Sequence, residues 1–174
     1  MSKCRVVLQR MAGFALALAV LAMAPVRPAA AQQGIAVGAK APVVTVNDLD
    51  GKPVDLGAYI GKKPVLLEFW ATWCTLCEEM LPRIKAAHAA YGDRVEFVGI
   101  NVTVNQTPAR VRRYLESHQP PYRSLYDDRG TSIRAYQVPT TSYIVVVDRA
   151  GTVAYTGTGG EQDLEPVLKQ VTSR

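Results

Sequence analysis

Cysteine is scarce in this chain: there are three in 174 residues, and only Cys74 and Cys77 lie beyond residue 31. A small exported scaffold stapled by disulfides carries four or more cysteines at wide spacing, so that architecture is excluded. Histidine is scarcer still, with His88 and His118 alone. Two cysteines three apart and two histidines far apart in sequence do not assemble into a four-ligand zinc set. No apolar run reaches the roughly 20 residues that a membrane-spanning helix needs. Acidic residues are missing altogether from positions 1–31, which hold four basic ones. Without that segment the formal charge falls from +5 to +1. The basic character therefore belongs to the first thirty residues and argues against a nucleic-acid-binding surface. Arg110, Arg112 and Arg113 form a local basic group, which on a helix reads as a solvated face.

What is present at the start is patterned. Lys3, Arg5 and Arg10 precede an uninterrupted apolar run from Met11 to Ala24; Pro25, Pro28 and Ala29-Ala30-Ala31 follow. A basic start, a short apolar run and a small-residue site describe a secretory signal peptide over 1–31, cleaved after Ala31. Cys4 leaves with it. The alternative is an uncleaved anchor, the one circumstance that brings this chain into contact with a membrane. Residues 32–174 are long enough for a single domain.

Along that domain, 43–46 and 54–56 flank a turn containing Gly51 and read as a β-hairpin. Val65–Trp70 is apolar except at Glu68, as a central strand buried on both faces is. A helix is expected from the cysteines to about Tyr91, with Pro82 kinking it. Strand 95–102 comes next, then a helix to about His118 with Thr107 as N-cap and Pro108 at its first position. A short strand over 122–126 and a short helix over 130–136 follow. A β-branched strand over 140–147, its hairpin partner over 152–156 and a closing helix over 161–172 complete the order. Together they predict an α/β fold, one mixed sheet flanked by helices, with an N-terminal hairpin.

The cysteine pair falls where a buried strand gives way to a helix. Unpaired N–H groups at a helix start favour thiolate over thiol. Cys74 is thus expected to be the exposed attacking sulfur. Cys77, one turn on, is placed to close a disulfide with it. A purely structural bridge spanning two residues would restrict little chain entropy, so redox chemistry is the better reading of the pair.

Phe69-Trp-Ala-Thr-Trp-Cys-Thr-Leu-Cys77 resembles the active-site segment of thioredoxins, and especially of the exported TlpA-like thiol–disulfide oxidoreductases. The likeness extends over most of 37–172. It takes in the hairpin around Asp48-Leu-Asp-Gly51, Pro82 five residues after the second cysteine, and a helix-and-strand insertion near 103–126 that plain thioredoxin lacks. Val138-Pro139-Thr140-Thr141 resembles the family's cis-proline loop. The resemblance implies a thioredoxin-like fold and a catalytic dithiol needing no cofactor or metal. It implies protein thiols or disulfides as substrates, and a membrane electron donor for rereduction. It makes Pro139 cis, turning the Val138 backbone outward to pair with an extended substrate, and it makes Trp73 an apolar docking surface. Glu68 occupies the place of the thioredoxins' buried acid, a proton relay to Cys77. Many TlpA-like proteins carry an acid three residues after the second cysteine; here that residue is Met80, so a relay rests on Glu68. Thr75-Leu76 departs from thioredoxin's Gly-Pro, which leaves the direction of electron transfer open. Other functions on this fold remain as alternatives. A copper-handling protein of the Sco type needs one more residue between its cysteines. A peroxiredoxin needs Pro and Thr where this chain has Leu67 and Ala71. A non-catalytic binding module would tolerate loss of either cysteine.

Overall fold

The structure, a computed structural model, describes residues 33–173. The expected signal segment, Cys4 included, lies outside the described residues. Twelve elements follow one another: β1 (Thr45–Asp48), β2 (Pro53–Asp55), a 3-10 turn (Leu56–Ala58), β3 (Val65–Trp70), α1 (Thr75–Tyr91), β4 (Glu96–Asn101), α2 (Pro108–His118), β5 (Arg123–Tyr126), α3 (Thr131–Ala135), β6 (Tyr143–Val147), β7 (Val153–Thr158) and α4 (Glu165–Thr172). The strands form a single sheet in the order β2-β1-β5-β4-β3-β6-β7. β3, β4 and β5 run parallel, and the other pairings are antiparallel.

β3 lies in the interior of the sheet, between β4 and β6, because every residue in it is buried, and both its faces have partners. Val65, Leu67 and Phe69 join a core that includes Val111 of α2, Leu125 and Tyr136. Leu66 joins a second core with Met80 and Ile84 of α1 and Leu168 of α4. Successive side chains of a strand point to opposite faces, so Glu68 shares the α1 and α4 side with Leu66. The expected mixed sheet flanked by helices is therefore what forms.

Several boundaries shift from expectation, each for a local reason. β6 begins at Tyr143 rather than 140, because Ser142 is held at φ 54° and leaves the extended region. The last helix begins at Glu165, with Pro166 in its first turn. α1 runs unbroken through Pro82, whose ring faces solvent. α2 starts as expected, with the Thr107 side chain accepting the Arg110 N–H. α3 has no cap of its own at Gly130. Buried Asp127 replaces one, accepting the N–H groups of Thr131 (2.7 Å), Ser132 (2.9 Å) and Ile133 (3.0 Å), and the Ser132 hydroxyl (2.6 Å). That anchor fixes the segment leading to Val138.

Candidate active site

After Trp70 the chain leaves the sheet, turns through 71–73 and enters α1 with Cys74 as its N-cap. The Cys74 carbonyl accepts the N–H groups of Cys77 (3.0 Å) and Glu78 (3.2 Å). Its Sγ accepts the Cys77 N–H as well, at 3.1 Å. Cys74 and Cys77 are joined as a disulfide with Cα atoms 5.2 Å apart. Sequence placed Cys74 in the open; instead both cysteines are only 4% exposed and belong to the core beside Val138. The exposed surface comes from their neighbours, Trp73 (44%) and Leu76 (46%).

Two networks hold this segment. On one side Trp73 Nε1 donates to the Val104 carbonyl (2.8 Å), and the Thr72 N–H donates to Gln106 Oε1 (3.1 Å). Gln106 is itself buried, with Asn101 Nδ2 on the same oxygen at 3.4 Å. On the other side the buried Ser142 hydroxyl lies 3.2 Å from the Leu76 carbonyl and 3.0 Å from that of Gly159. Gln162 Nε2 donates to the Gly159 and Ser142 carbonyls. Sequence reasoning gave no structural role to Gln106, Ser142 and Gln162, polar residues in loops, or to Asn101 at the end of β4. Burial is their signal, and only the fold supplies it.

The proline loop needs correcting. No cis peptide bond occurs among the described residues, so Val138–Pro139 is trans, the usual state of an X-Pro bond. Nor is the Val138 backbone turned wholly outward, since its N–H donates to the Ile133 carbonyl at 2.9 Å. Gln137, at φ 51°, makes the reversal that closes this bond. Pro139 is exposed and Val138 half-buried against the core that holds the cysteines.

Glu68 is 1% exposed. Burial, only partly offset by a hydrogen bond with the Tyr122 hydroxyl, pushes its carboxyl up to about 8. Its Oε2 has no hydrogen-bond partner among the described residues. Tyr122, another residue the sequence did not single out, is itself raised well above the usual phenol range, first by desolvation and then by Glu68. Trp70 is core, 1% exposed, as expected. The two histidines sit in aromatic contacts, His88 edge-on to Phe97 and His118 stacked on Tyr114.

A vicinal cysteine pair heading a helix, directly behind the central strand of such a sheet, defines a thiol–disulfide oxidoreductase of thioredoxin-like fold. Comparison with known proteins agrees. Residues 36–171 match the family model described as Redoxin, and the chain belongs to that family. It is 28% identical over 144 residues to the thiol-disulfide oxidoreductase ResA of Bacillus thuringiensis subsp. konkukian, covering 81% of this chain and 82% of that one. With ResA of Geobacillus kaustophilus it shares 30% identity over 140 residues, 79% of each. The thioredoxin domain of a thiol-disulfide oxidoreductase from Bacteroides vulgatus superposes with a TM-score of 0.67 at 25% identity, covering 79% of this chain and 99% of that domain. The chain is thus a TlpA-like member of the thioredoxin superfamily, and its chemistry is thiol–disulfide exchange.

Proposed function

We propose that this enzyme works outside the cytoplasm, exported by residues 1–31 and folded as a single domain over 32–174, where it reduces or exchanges disulfides of other proteins. The observation that carries the reading is the Cys77 N–H aimed at Cys74 Sγ. A donor in that position, at the head of a helix, stabilises a thiolate on Cys74 once the pair is reduced.

The cycle balances as follows. The Cys74 thiolate attacks one sulfur of a substrate disulfide, and the other substrate sulfur leaves as a thiolate. The Cys77 thiol gives up its proton and attacks Cys74 Sγ, releasing the second substrate sulfur. The substrate has gained two electrons, and the enzyme is left as the Cys74–Cys77 disulfide. A protein dithiol at the membrane then rereduces it. Glu68 is the group we assign to the Cys77 proton. It lies two residues back from the end of β3, roughly 7 Å along the strand. Leu66, on the same face of β3, packs with Met80 and Ile84 in the turns of α1 that follow Cys77. A carboxyl pushed up to about 8 can take and return a proton near neutral pH. Trp73, Val138 and Pro139, with Leu76 beside them, are the surface we assign to the substrate. Since the Val138 N–H is engaged, a bound chain there relies on side-chain contact and on the loop's carbonyls.

Trapping is the direct test. With Cys77→Ala the mixed disulfide on Cys74 cannot resolve, so substrate proteins stay covalently attached and are released by dithiothreitol. An exported Cys77→Ala protein that captures nothing, although its Cys74 remains free, contradicts a role in protein disulfide exchange.

A further inference from the structure

We propose that Tyr122 is a positioning residue for Glu68: its hydroxyl holds the buried carboxyl in place and keeps it able to ionise. This inference rests on the reading of Glu68 as the proton carrier. It adds a second group, drawn from the insertion between β4 and β5, to a relay otherwise contained in β3 and α1.

Three features converge on the contact. Glu68 sits opposite Gly99 of β4 and Ile144 of β6, so the sheet offers it no polar side chain on either flank. The Tyr122 ring lies over Gly99, where any Cβ would collide with it; the missing side chain is what lets the phenol reach Glu68. The approach is also rigid. Gln119 closes α2 in the left-handed conformation at φ 46°, and Pro120 and Pro121 carry the chain directly to Tyr122. Trp70 packs against the same ring, centroids 6.4 Å apart. The outer edge of Tyr122 lines a surface groove with His88, Glu96 and Arg123. Its hydroxyl is near enough to Glu68 for each group to shift the other's ionisation.

The electrostatic sense of the contact is definite. An ionised carboxylate accepts the phenol's hydrogen bond more strongly than a neutral carboxyl does, so Tyr122 favours the charged form against the burial that opposes it. Of the ionisable groups around the pair, Tyr114 of α2 bears on Tyr122 and Glu78 of α1 bears on Tyr114, while His88, Glu96 and Arg123 line the groove at the outer edge of the Tyr122 ring. Glu96 is paired with Lys63 at 3.0 Å and Arg123 lies 3.5 Å from Asp48. No cation among these pairs with Glu68, which leaves the phenol as its stabilising contact among the described residues.

The test is Tyr122→Phe, which keeps the ring over Gly99 and removes the hydroxyl alone. The Glu68 carboxyl is followed by 13C NMR across pH in the oxidised protein, and exchange with a small-molecule disulfide is followed across the same range in the reduced one. The Glu68 midpoint is expected to rise by about one unit or more, the strength of one charge-assisted hydrogen bond. Exchange at pH 7 then drops about tenfold and recovers as the pH approaches that higher midpoint. In a Glu68→Gln background the same substitution leaves the pH profile unchanged. An unmoved Glu68 midpoint overturns the proposal. If the midpoint rises while the exchange profile stays put, Tyr122 does tune Glu68, and what fails is the assignment of Glu68 as proton carrier.

Discussion

Glu68 lies in an environment that penalises its own charge, and that has a measurable consequence apart from catalysis. An unfolded glutamate has its ordinary value of 4.5, whereas burial pushes the folded one up to about 8. Between those values the folded protein holds a proton that the unfolded chain has released. The stability this contributes is fully present below pH 4.5 and is lost as pH rises through 8. Glu68→Gln lacks the titration. We expect the wild type to lose about 4 kcal/mol relative to Glu68→Gln between pH 4.5 and 8, read from urea unfolding of the oxidised forms at both ends. Equal stability differences at the two ends would mean that the carboxyl is not desolvated. The same residue shows where sequence reading stops. An acid in an otherwise apolar strand announces burial, but its partner Tyr122 lies 54 positions away and follows two prolines with no pattern of its own. Which phenol meets which carboxyl is decided by the sheet register, a long-range property that local sequence does not encode.

At the level of elements, the strands and helices followed from periodicity and punctuation wherever these were strong. β3, α1 and α2 were legible because continuous apolar residues, the cysteine junction and the Thr107-Pro108 cap each have one natural reading. The start of β6 and the conformation of the proline loop were not legible. There, side-chain hydrogen bonds from Ser142 and Gln162 and positive φ angles at Gln137 and Ser142 set the backbone, and β-branched residues alone misled. Two predictions belong here. Gly99→Ala places a methyl group against the Tyr122 ring and should destabilise the fold by about 1–3 kcal/mol in denaturant unfolding; a neutral result would show that the ring can move aside. Gln106→Ala releases the Thr72 N–H and loosens the turn carrying Trp73 and Cys74. Exchange should slow several-fold, and Trp73 fluorescence should shift toward that of a solvated indole. Unchanged rate and emission together would leave the Trp73–Val104 bond as sufficient support.

For the molecule as a whole, each redox half-reaction presents the fold with a different charge at one point. Cys74 passes from a neutral bridged sulfur to an anion, yet the Cys77 N–H already faces that sulfur before the bridge opens. Asp127 and Ser142 brace the loops on either side from buried positions that the chemistry does not touch. Oxidised and reduced forms should therefore differ little, with amide shift changes in NMR confined to residues near 71–78, 138–142 and the surroundings of Glu68. Shifts spread through β1, β2 and α4 would instead mean that the sheet rearranges with each turnover. A protein whose solvation shell for the incoming electron pair is built into its backbone has little to reorganise when the electrons arrive. Its speed is then set by how quickly partners come and go, and changing the partner's face would be the effective way to change its rate.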